Sequence, residues 1–399
     1  MAVIYKKLGE IADISAGGTP KRSNPTYWKN GNIPWVKISD VKGKYLEKTE
    51  EFITEDGLNN SSAKLFKKGT LLYTIFATIG ECAILNIDAS TNQAIAGINV
   101  KSEKVLTEYL YYFLKSIKNT VANTGRGVAQ NNINLSILKN IDVPLPEIEV
   151  QKKIINLLNK SNELVIKRKA QIEALDQLTQ SVFLEMFGDP VLNKNNYNVC
   201  KLSELCIKIT DGTHHSPPMV KEGIPYITAK HLGKGYLDFY SDPTYVSLED
   251  HKKIYSRCNP VKGDVLYIKD GATTGIAGIN HYDFEFSMLS SLALIKVNPS
   301  MLNNYYLVYY LNNKGIFNRI IQNMSGGAIK RLTIKKINDI NIVVPPIHLQ
   351  NKFAELIVNI EGKKQLLTNS LKELQNNYYS IMQRAFKGEL FTEEKVSNL

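Results

Sequence analysis

The chain has 399 residues, of which 43% are hydrophobic and 22% charged, and its formal net charge is +11. This composition is ordinary for a globular protein of two or more domains. The N terminus lacks the apolar segment of a signal peptide and the chain has no run of 18 apolar residues, so we expect a cytoplasmic protein that does not enter a membrane. Because the basic residues form no Lys/Arg block, their excess favours a folded surface that attracts polyanions.

The first predicted domain, residues 1–146, mixes strands and helices. The stretch from Gly69 to Ala77 is short, β-rich and bounded by glycine, which predicts a strand. Leu106 to Ser116 has the length and periodicity of a helix. A proline-rich joint, Val143 to Pro146, stops a strand and precedes a helix, because proline removes a backbone donor yet fits a helix start. We predict an α+β domain with a small curved sheet.

A long helix is predicted within residues 147–188, because Gln151 to Phe187 contains neither proline nor glycine. At 1.5 Å per residue it would be about 50 Å long. Mostly apolar residues recur in it at alternating steps of three and four, as in a coiled coil. This seam comprises Ile154, Leu158, Ser161, Val165, Arg168, Ile172, Leu175, Thr179, Val182 and Met186.

The rest of the chain repeats the first half. Ile33-Pro34-Trp35 has its counterpart in Ile224-Pro225-Tyr226, and the joint is repeated at Val344-Pro345-Pro346. We therefore predict a second domain at 189–346 and a second long helix with a tail at 347–399. Its seam comprises Phe353, Ile357, Ile360, Lys364, Leu367, Leu371, Leu374, Tyr378, Ile381 and Ala385. Two matched helices in one chain are expected to pair antiparallel.

Catalytic and metal motifs are weak in this sequence. The phosphate-binding pattern GxxxxGK[ST], the zinc pattern HExxH and the nucleophile pattern GxSxG do not occur. Asn24-Pro25-Thr26-Tyr27 and Asp242-Pro243-Thr244-Tyr245 approach the Asn/Asp-Pro-Pro-Tyr loop of amino-directed DNA methyltransferases, but both lack the second proline. The adjacent His214 and His215 lack further ligands, and the four cysteines form no CxxC pair, which favours buried thiols over zinc. We expect no catalytic residue and no bound metal.

Loops that mix Lys and Arg with amides, hydroxyls and aromatic rings are the candidate contacts to DNA. Cationic side chains neutralise phosphates, and Asn, Gln, Arg and Lys bond to base edges. In the first domain the candidates are Thr19, Lys21, Arg22, Ser23, Asn24, Trp28, Lys29, Lys37, Ser39, Thr74, Thr78, Arg126, Gln130, Asn131 and Asn132. In the second they are Thr210, Asp211, Thr213, His214, His215, Lys230, His231, Lys269, Asp270, Ser325, Gly326, Lys330 and Arg331. Each of these residues alone is typical of a solvated surface, whereas the recurrence of such loops at matched positions in both domains favours DNA binding.

With two loop-rich domains, each followed by a proline-rich joint and a long helix, the chain resembles the specificity subunit of a type I restriction-modification system. The resemblance spans essentially the whole chain. The segments that carry it are Gly17-Gly18-Thr19-Pro20, the Ile33 and Ile224 strands, the two joints with Gln151 and Gln350, and the helix ends at Phe187-Gly188 and Phe386-Lys387-Gly388.

This resemblance implies a subunit without catalysis, whose two target recognition domains each read half of a bipartite, asymmetric sequence in double-stranded DNA. It also implies two DNA methyltransferase subunits and a restriction and translocase subunit as partners. S-adenosylmethionine, ATP and Mg would be bound by those partners, and no cofactor by this chain. An antiparallel pair of helices of about 50 Å would hold the recognition units apart over more than one turn of DNA, about 34 Å.

Other functions remain open from the sequence. A self-contained DNA methyltransferase or nuclease would bind a methyl donor or cut DNA unaided. A coiled-coil scaffold with basic domains would bind random and site-containing duplexes equally well. A standalone DNA-binding regulator is disfavoured because no helix-turn-helix recognition helix is identifiable.

Overall fold

A computed structural model describes residues 4–124, 132–322 and 331–391. The chain divides into two compact units, the first comprising Met1–Lys169 with Asn369–Leu399 and the second Ala170–Thr368. Within the described residues, no helix combines the length and the apolar character needed to cross a membrane.

The first unit contains eleven strands among its described residues and mixes them with short helices. The strands are β1 (Ile4–Lys7), β2 (Ala12–Ala16), β3 (Ile33–Val36), β4 (Tyr45–Leu46), β5 (Glu51–Ile53), β6 (Leu65–Phe66), β7 (Leu71–Thr74), β8 (Cys82–Leu85), β9 (Ala89–Thr91), β10 (Ile95–Val100) and β11 (Asp142–Leu145). The helices are α1 (Leu8–Ile11), α2 (Glu55–Asn59), α3 (Thr107–Ser116), α4 (Lys118–Thr124) and α5 (Leu135–Lys139), followed by the long α6 (Ile148–Phe187).

The second unit repeats this order. Its strands are β12 (Asn198–Lys201), β13 (Cys206–Asp211), β14 (Ile224–Ile227), β15 (Tyr245–Val246), β16 (Val265–Ile268), β17 (Ala277–Ile279), β18 (Ser287–Met288), β19 (Leu292–Val297) and β20 (Asn341–Val344). Its helices are α7 (Leu248–Tyr255), α8 (Asn304–Asn312), α9 (Lys314–Gln322), α10 (Ile334–Asn338) and the long α11 (Ile347–Phe386).

Both units share the central strand order of their sheets, and the first unit adds β4 to one sheet and β6 to the other. The main sheet of the first unit has the order β2-β10-β7-β8-β4, and that of the second has the order β13-β19-β16-β17. A second sheet holds β3 between β5 and β9, and its counterpart holds β14 between β15 and β18. The parallel pairing of Trp35 with Ser90 is repeated by that of Tyr226 with Ser287. The predicted internal repeat and mixed α/β class are therefore confirmed.

The buried strands β7 and β16 form the centre of each main sheet, and every residue in both is buried. Each follows a turn that needs a positive φ, supplied by Gly69 at 92° and Gly263 at 95°. Against these strands pack α3 and α8, in which Tyr109 and Tyr306 are buried. Their hydroxyls donate to the carbonyls of Pro144 and Val343 at 2.8 and 2.7 Å, so each helix is tied to the joint strand.

The two long helices run antiparallel. In the second unit the end of α6 meets the start of α11, where the rings of Phe183 and Phe353 lie 5.5 Å apart. Lys364 and Asp176 bridge the same two helices at 2.5 Å. In the first unit the start of α6 shares a core with the end of α11, including Leu158 and Met382. Both helices have 40 residues and end at the predicted Phe187 and Phe386, and α6 begins at Ile148, three residues before the predicted Gln151.

One end of the predicted seam is corrected by the structure. Near the end of α6, Phe183 and Phe187 are buried, whereas the predicted Val182 and Met186 are only partly buried. An α-helix drifts by about 20° per heptad relative to a strict seven-residue repeat, so the buried face moves along the helix. The two phenyl rings then pack edge-on against Phe353.

A buried glutamine locks each long helix to its domain. The side chain of Gln151 accepts from the Leu106 N–H at 3.0 Å and donates to the carbonyls of Lys104 and Pro146 at 2.8 and 2.9 Å. Gln350 is equally buried. Its side chain accepts from the Asn303 N–H at 2.8 Å and donates to the carbonyls of Met301 and Pro345 at 3.3 and 2.7 Å. An apolar residue at either position would leave three buried backbone groups without these partners.

Candidate nucleic-acid interface

The loop that follows β2 or β13 is held by the same backbone bonds in both units. Gly17 N–H donates to the Ile95 carbonyl at 3.0 Å, and Gly212 N–H donates to the Leu292 carbonyl at 3.4 Å. A Cβ at Gly17 or Gly212 would lie 2.0 Å from Thr91 Oγ1 or the Met288 carbonyl oxygen, so only glycine fits this approach. The loops that carry many of the predicted contacts therefore start from one common frame.

A second set of candidates meets where the chain returns beside the turn after β7 or β16. Asn132 forms an antiparallel bridge with Phe76, and Arg331 forms the corresponding bridge with Asp270. In the second unit the Arg331 guanidinium Nε also lies 3.5 Å from the Asp270 carboxylate. The structure thus brings together predicted residues far apart in the chain. Six further candidates, Arg126, Gln130, Asn131, Ser325, Gly326 and Lys330, lie outside the described residues.

In the first unit the loop after β2 is held by Trp28 and Trp35, which both contact Arg22, and by a network of ion pairs. The Arg22 guanidinium lies 3.8 Å from the centre of the Trp28 ring and pairs with Glu51. Lys37 lies 3.0 Å from Glu51 and 3.0 Å from Glu50. Partial burial of Glu51 opposes ionisation, but the hydrogen bonds from Arg22 and Lys37 lower its pKa below the usual value. Arg22 and Lys37 are therefore engaged within the unit before any ligand binds.

The remaining candidates of this loop divide into bound and exposed side chains. The Thr19 hydroxyl bonds to Gln93, and the Asn24 side chain accepts from the Thr26 N–H at 3.2 Å to cap a short 3₁₀ turn. Three others are exposed to solvent: Lys21, Ser23 and Lys29.

Thr74 is corrected by the structure. Its side chain is fully buried, and its hydroxyl accepts from the Glu81 N–H at 2.9 Å and donates to the Thr78 carbonyl. It closes the turn and is not accessible to DNA. Ser39 and Thr78 are exposed and both line a cavity of about 430 Å³, together with Lys42 and Lys115.

The second unit places a carboxylate beside an arginine, a lysine and a histidine at its corresponding loop. Asp211 Oδ1 accepts from Arg257 Nη2 at 3.0 Å, and Oδ2 lies 3.2 Å from both Lys269 Nζ and His214 Nε2. Asp211 and Lys269 are buried, so neither side chain is itself accessible to DNA, contrary to the prediction. Arg257 has no sequence motif around it, and it was missed because only the fold brings it to Asp211.

His231 also has a structural role that the sequence did not predict. Its buried ring accepts from the Thr228 N–H at 3.0 Å through Nδ1, and Nε2 lies 2.9 Å from the Asp242 carbonyl oxygen. The second contact needs a proton on Nε2, so the ring is held as one neutral tautomer. Burial lowers the pKa of His231 below its usual value. The neighbouring Lys230 is exposed and pairs with the Asp242 carboxylate at 2.7 Å.

The other candidates of the second unit form the edge of the same loop. Thr213 Oγ1 accepts from the His215 N–H at 3.2 Å, which fixes the turn that presents His214 and His215 to solvent. Thr210, on β13, is half-buried.

No metal or thiol chemistry accompanies these loops in the described part of the chain. No three His, Cys, Asp or Glu side chains gather there as metal ligands would. The four cysteines are free, and burial raises the pKa of Cys82, Cys206 and Cys258 to about 12, which keeps these thiols protonated.

Known proteins share both the sequence pattern and the fold. A family described as "Type I restriction modification DNA specificity domain" matches residues 3–174 and 194–376. The MjaIX specificity subunit of Methanocaldococcus jannaschii is 27% identical over 422 residues, covering 98% of this chain and 94% of that protein. The EcoprrI specificity subunit of Escherichia coli is 22% identical over 395 residues, covering 93% and 90% of the two chains.

The fold is similar to that of a crystal structure of the type I restriction-modification S subunit from M. genitalium, with a TM-score of 0.57 and 17% identity. That match covers 97% of this chain and 96% of the other. The chain therefore belongs to the type I restriction-modification DNA specificity family, and it is a specificity subunit that recognises DNA sequence while catalysis resides in other subunits.

Proposed function

We propose that this subunit reads a bipartite, asymmetric target in double-stranded DNA, one half with each unit. The observation that carries the proposal is one backbone frame used twice with different side chains. After Gly17 the first unit continues with Lys21 and Lys29 exposed, whereas after Gly212 the second presents His214 and His215. Different donors on equivalent loops suit different base sequences, which makes the target asymmetric.

The charge of the chain supports a duplex ligand. Its net charge is +11 and its isoelectric point is about 9.1. Exposed lysines on the loops neutralise phosphates, which supplies affinity without sequence information. The exposed hydroxyls and imidazoles beside them supply the hydrogen bonds that distinguish bases. Of the predicted contacts, we retain those whose side chains reach solvent and remove Thr74, Asp211, His231 and Lys269.

We propose further that the subunit recruits two methyltransferase subunits and a restriction and translocase subunit, which hold S-adenosylmethionine, ATP and Mg. Exposed apolar side chains on both long helices support a docking role, since they lie outside the pairing seam. In the first unit these are Leu164, Ile166 and Tyr379, and in the second they are Leu178, Leu184, Leu356, Val358 and Leu366. We propose that these side chains contribute to the surface on which the partners dock. We place this complex in the cytoplasm.

Helix length is proposed to set the number of unread base pairs between the two half-sites. Each 40-residue helix is about 60 Å long at 1.5 Å per residue, which exceeds one turn of DNA, about 34 Å. The buried Gln151 and Gln350 fix where each helix starts relative to its own domain. A change in helix length would therefore be transmitted to the spacer.

Modified-base sequencing of a host with and without this chain tests the proposal. We expect one two-part methylated sequence, with a constant gap, that disappears when the gene is deleted. In parallel, the full-length chain in complex with its methyltransferase should enrich the same sequence from a pool of random duplexes. Equal affinity for random and site-containing duplexes at fixed salt would refute sequence recognition and leave a non-specific scaffold.

A further inference from the structure

Among the described residues, the charged cluster around Asp211 has no counterpart at the equivalent positions of the first unit. Ile75 and Lys269 occupy equivalent backbone positions in the two units. The Ile75 N–H donates to the Ala94 carbonyl at 2.8 Å, and the Lys269 N–H donates to the Ser291 carbonyl at 2.9 Å. The buried Ile75 of the first unit is thus replaced by the buried Lys269. Likewise, Ala16 ends β2 where Asp211 ends β13.

Arg257 and Ser62 each follow the helix of their unit and lie beside the loop. Ser62 follows α2 and lies against Gly18, since a Cβ on Gly18 would come within 2.3 Å of it. Arg257 follows α7 and donates from Nη2 to the carbonyls of Asp211 and Gly212. The first unit therefore builds the same frame with Ala16, Ile75 and Ser62, so packing alone does not account for the charges.

The Arg257 side chain is fixed and yet exposed. Its Nη2 makes three hydrogen bonds, to Asp211 Oδ1 and two carbonyls, while 55% of the side chain remains exposed. Its main chain is held as well, because Lys208 Nζ donates to the Arg257 carbonyl at 2.8 Å. Among the contacts within the described chain, these bonds use Nη2 alone, which leaves the Nη1 and Nε donors without a protein acceptor.

The charge balance of the cluster favours an acceptor. One carboxylate faces Arg257 and Lys269, so the pair of lysine and arginine leaves one positive charge in excess at neutral pH. Lys269 is buried, which leaves that excess on the exposed guanidinium. Holding an exposed arginine in one orientation adds little stability, but it suits reading a base edge, where direction matters more than charge.

We propose that Arg257 reads one guanine in the half-site of the second unit, and that Asp211 is its positioning residue. Guanine presents two acceptors, N7 and O6, in the major groove, and the Nη1 group, which these bonds leave unused, can donate to one of them. The buried Lys269 lies 3.2 Å from the Asp211 carboxylate and holds it in place. The proposal rests on the proposed function, because it assumes that the second unit contacts one half of the target.

Selection from random duplexes by the complex of the full chain with its methyltransferase tests it, with wild type, Arg257→Lys and Arg257→Gln compared. We expect both variants to keep the first half-site and the gap but to lose the preference for guanine at one position of the second. That loss should be about 5- to 150-fold, the usual discrimination at one base pair. Lys253→Gln, which removes one positive charge from the neighbouring helix α7, is the matched control and should change no position.

Asp211→Ala combined with Lys269→Ile installs the residue types of the first unit and tests positioning. This double variant should fold, keep its affinity for random duplex, and lose the same guanine preference. If it keeps the preference, Asp211 does not position Arg257.

Two results would overturn the assignment of Arg257. If both Arg257 variants weaken binding to all sequences equally and reduce the salt slope by about 1, the residue contacts a phosphate. If they retain every base preference while the variant complexes melt at the wild-type temperature, Arg257 does not contact the target. If wild type itself enriches no two-part sequence, the proposed function fails instead, so the two failures are distinguishable.

Discussion

Removing Asp211 should destabilise the second unit far more than removing Lys269. Asp211 is buried and contacts Arg257, Lys269 and His214, whereas the structure gives Lys269 one carboxylate partner, at 3.2 Å. Asp211→Ala leaves the buried Lys269 ammonium without that carboxylate. Lys269→Ile leaves Asp211 bonded to Arg257, whose side chain is partly in water.

The expected magnitudes follow from burial. Removing one partner of a buried ion pair leaves the other charge buried and uncompensated, which destabilises the protein by about 3–5 kcal/mol. Asp211→Ala should therefore lower the free energy of unfolding of the second unit by about 3–5 kcal/mol. Lys269→Ile should lower it by about 1–3 kcal/mol, since Asp211 keeps a charged hydrogen bond. The double variant removes both charges and should cost less than Asp211→Ala alone, because replacing a buried pair by apolar side chains is often neutral.

Hydrogen exchange read by mass spectrometry measures this in the intact chain. A single unfolding transition is not expected from two units, so the peptides that cover β13 and β16 report the second unit separately. Peptides covering β2 and β7 of the first unit are the internal control. Lys253→Gln, a surface change, should stay within about 0.5 kcal/mol.

The three losses in free energy of unfolding, for Asp211→Ala, for Lys269→Ile and for the double variant, show whether the two charges interact in a buried site. If Asp211→Ala costs less than Lys269→Ile, the charge of Lys269 is relieved by solvent and the pair is not effectively buried. If the double variant costs the sum of the two single variants, the residues do not interact.

Three further predictions concern the joints, the spacer and acid stability. Gln151→Ala and Gln350→Ala should each destabilise their own unit by about 2–5 kcal/mol through lost partners of buried backbone groups; unchanged hydrogen exchange beside either joint would contradict this. Deleting one heptad from both long helices, near Arg168 and Lys364, should shorten the unread spacer by about three base pairs, since seven residues span about 10 Å. Methylation-site sequencing that shows a constant spacer would refute it. His231 has a folded pKa below its usual 6.5, so the unfolded chain binds a proton that the native ring does not. The second unit should thus be fully stabilised above about pH 6.5 and lose stability as pH falls through the folded pKa, and His231→Gln should flatten this dependence in urea titrations of hydrogen exchange.

The position of the histidines makes the pH experiment selective. All six lie between His214 and His348, within the second unit. The first unit therefore serves as a control for the titration of carboxylates, which both units contain. Equal loss of protection in both units between pH 7.5 and 5.5 would show that histidine is not the cause.

The division between structural and ligand-facing residues changes how mutations of the loops should be interpreted. Arg22 and Lys37 share Glu51, so a substitution at either one also alters the loop that the other supports. Loss of DNA binding by such a variant does not by itself identify a contact. Lys21 and Lys29 are exposed, and substitutions there report on the ligand more directly.

The sequence by itself determined the repeat, the element types and the family resemblance. Periodicity is a local property, so a helix from Gln151 to Phe187 was readable without the fold, and its end was placed correctly. The strand around Leu71 to Thr74 was readable from its composition and bounding glycine in the same way. Matched anchors such as Trp35 and Tyr226 then showed that the unit occurs twice.

Only the tertiary structure decided which polar residues face a ligand. Thr74 and Lys269 have the composition of DNA-contacting residues but are buried, because strands distant in the sequence cover them. Arg257 has no local signal, and it becomes a candidate because the loop after α7 is folded against Asp211. Burial and hydrogen-bond partners are set by contacts between segments far apart in the chain, and a linear pattern carries no record of them.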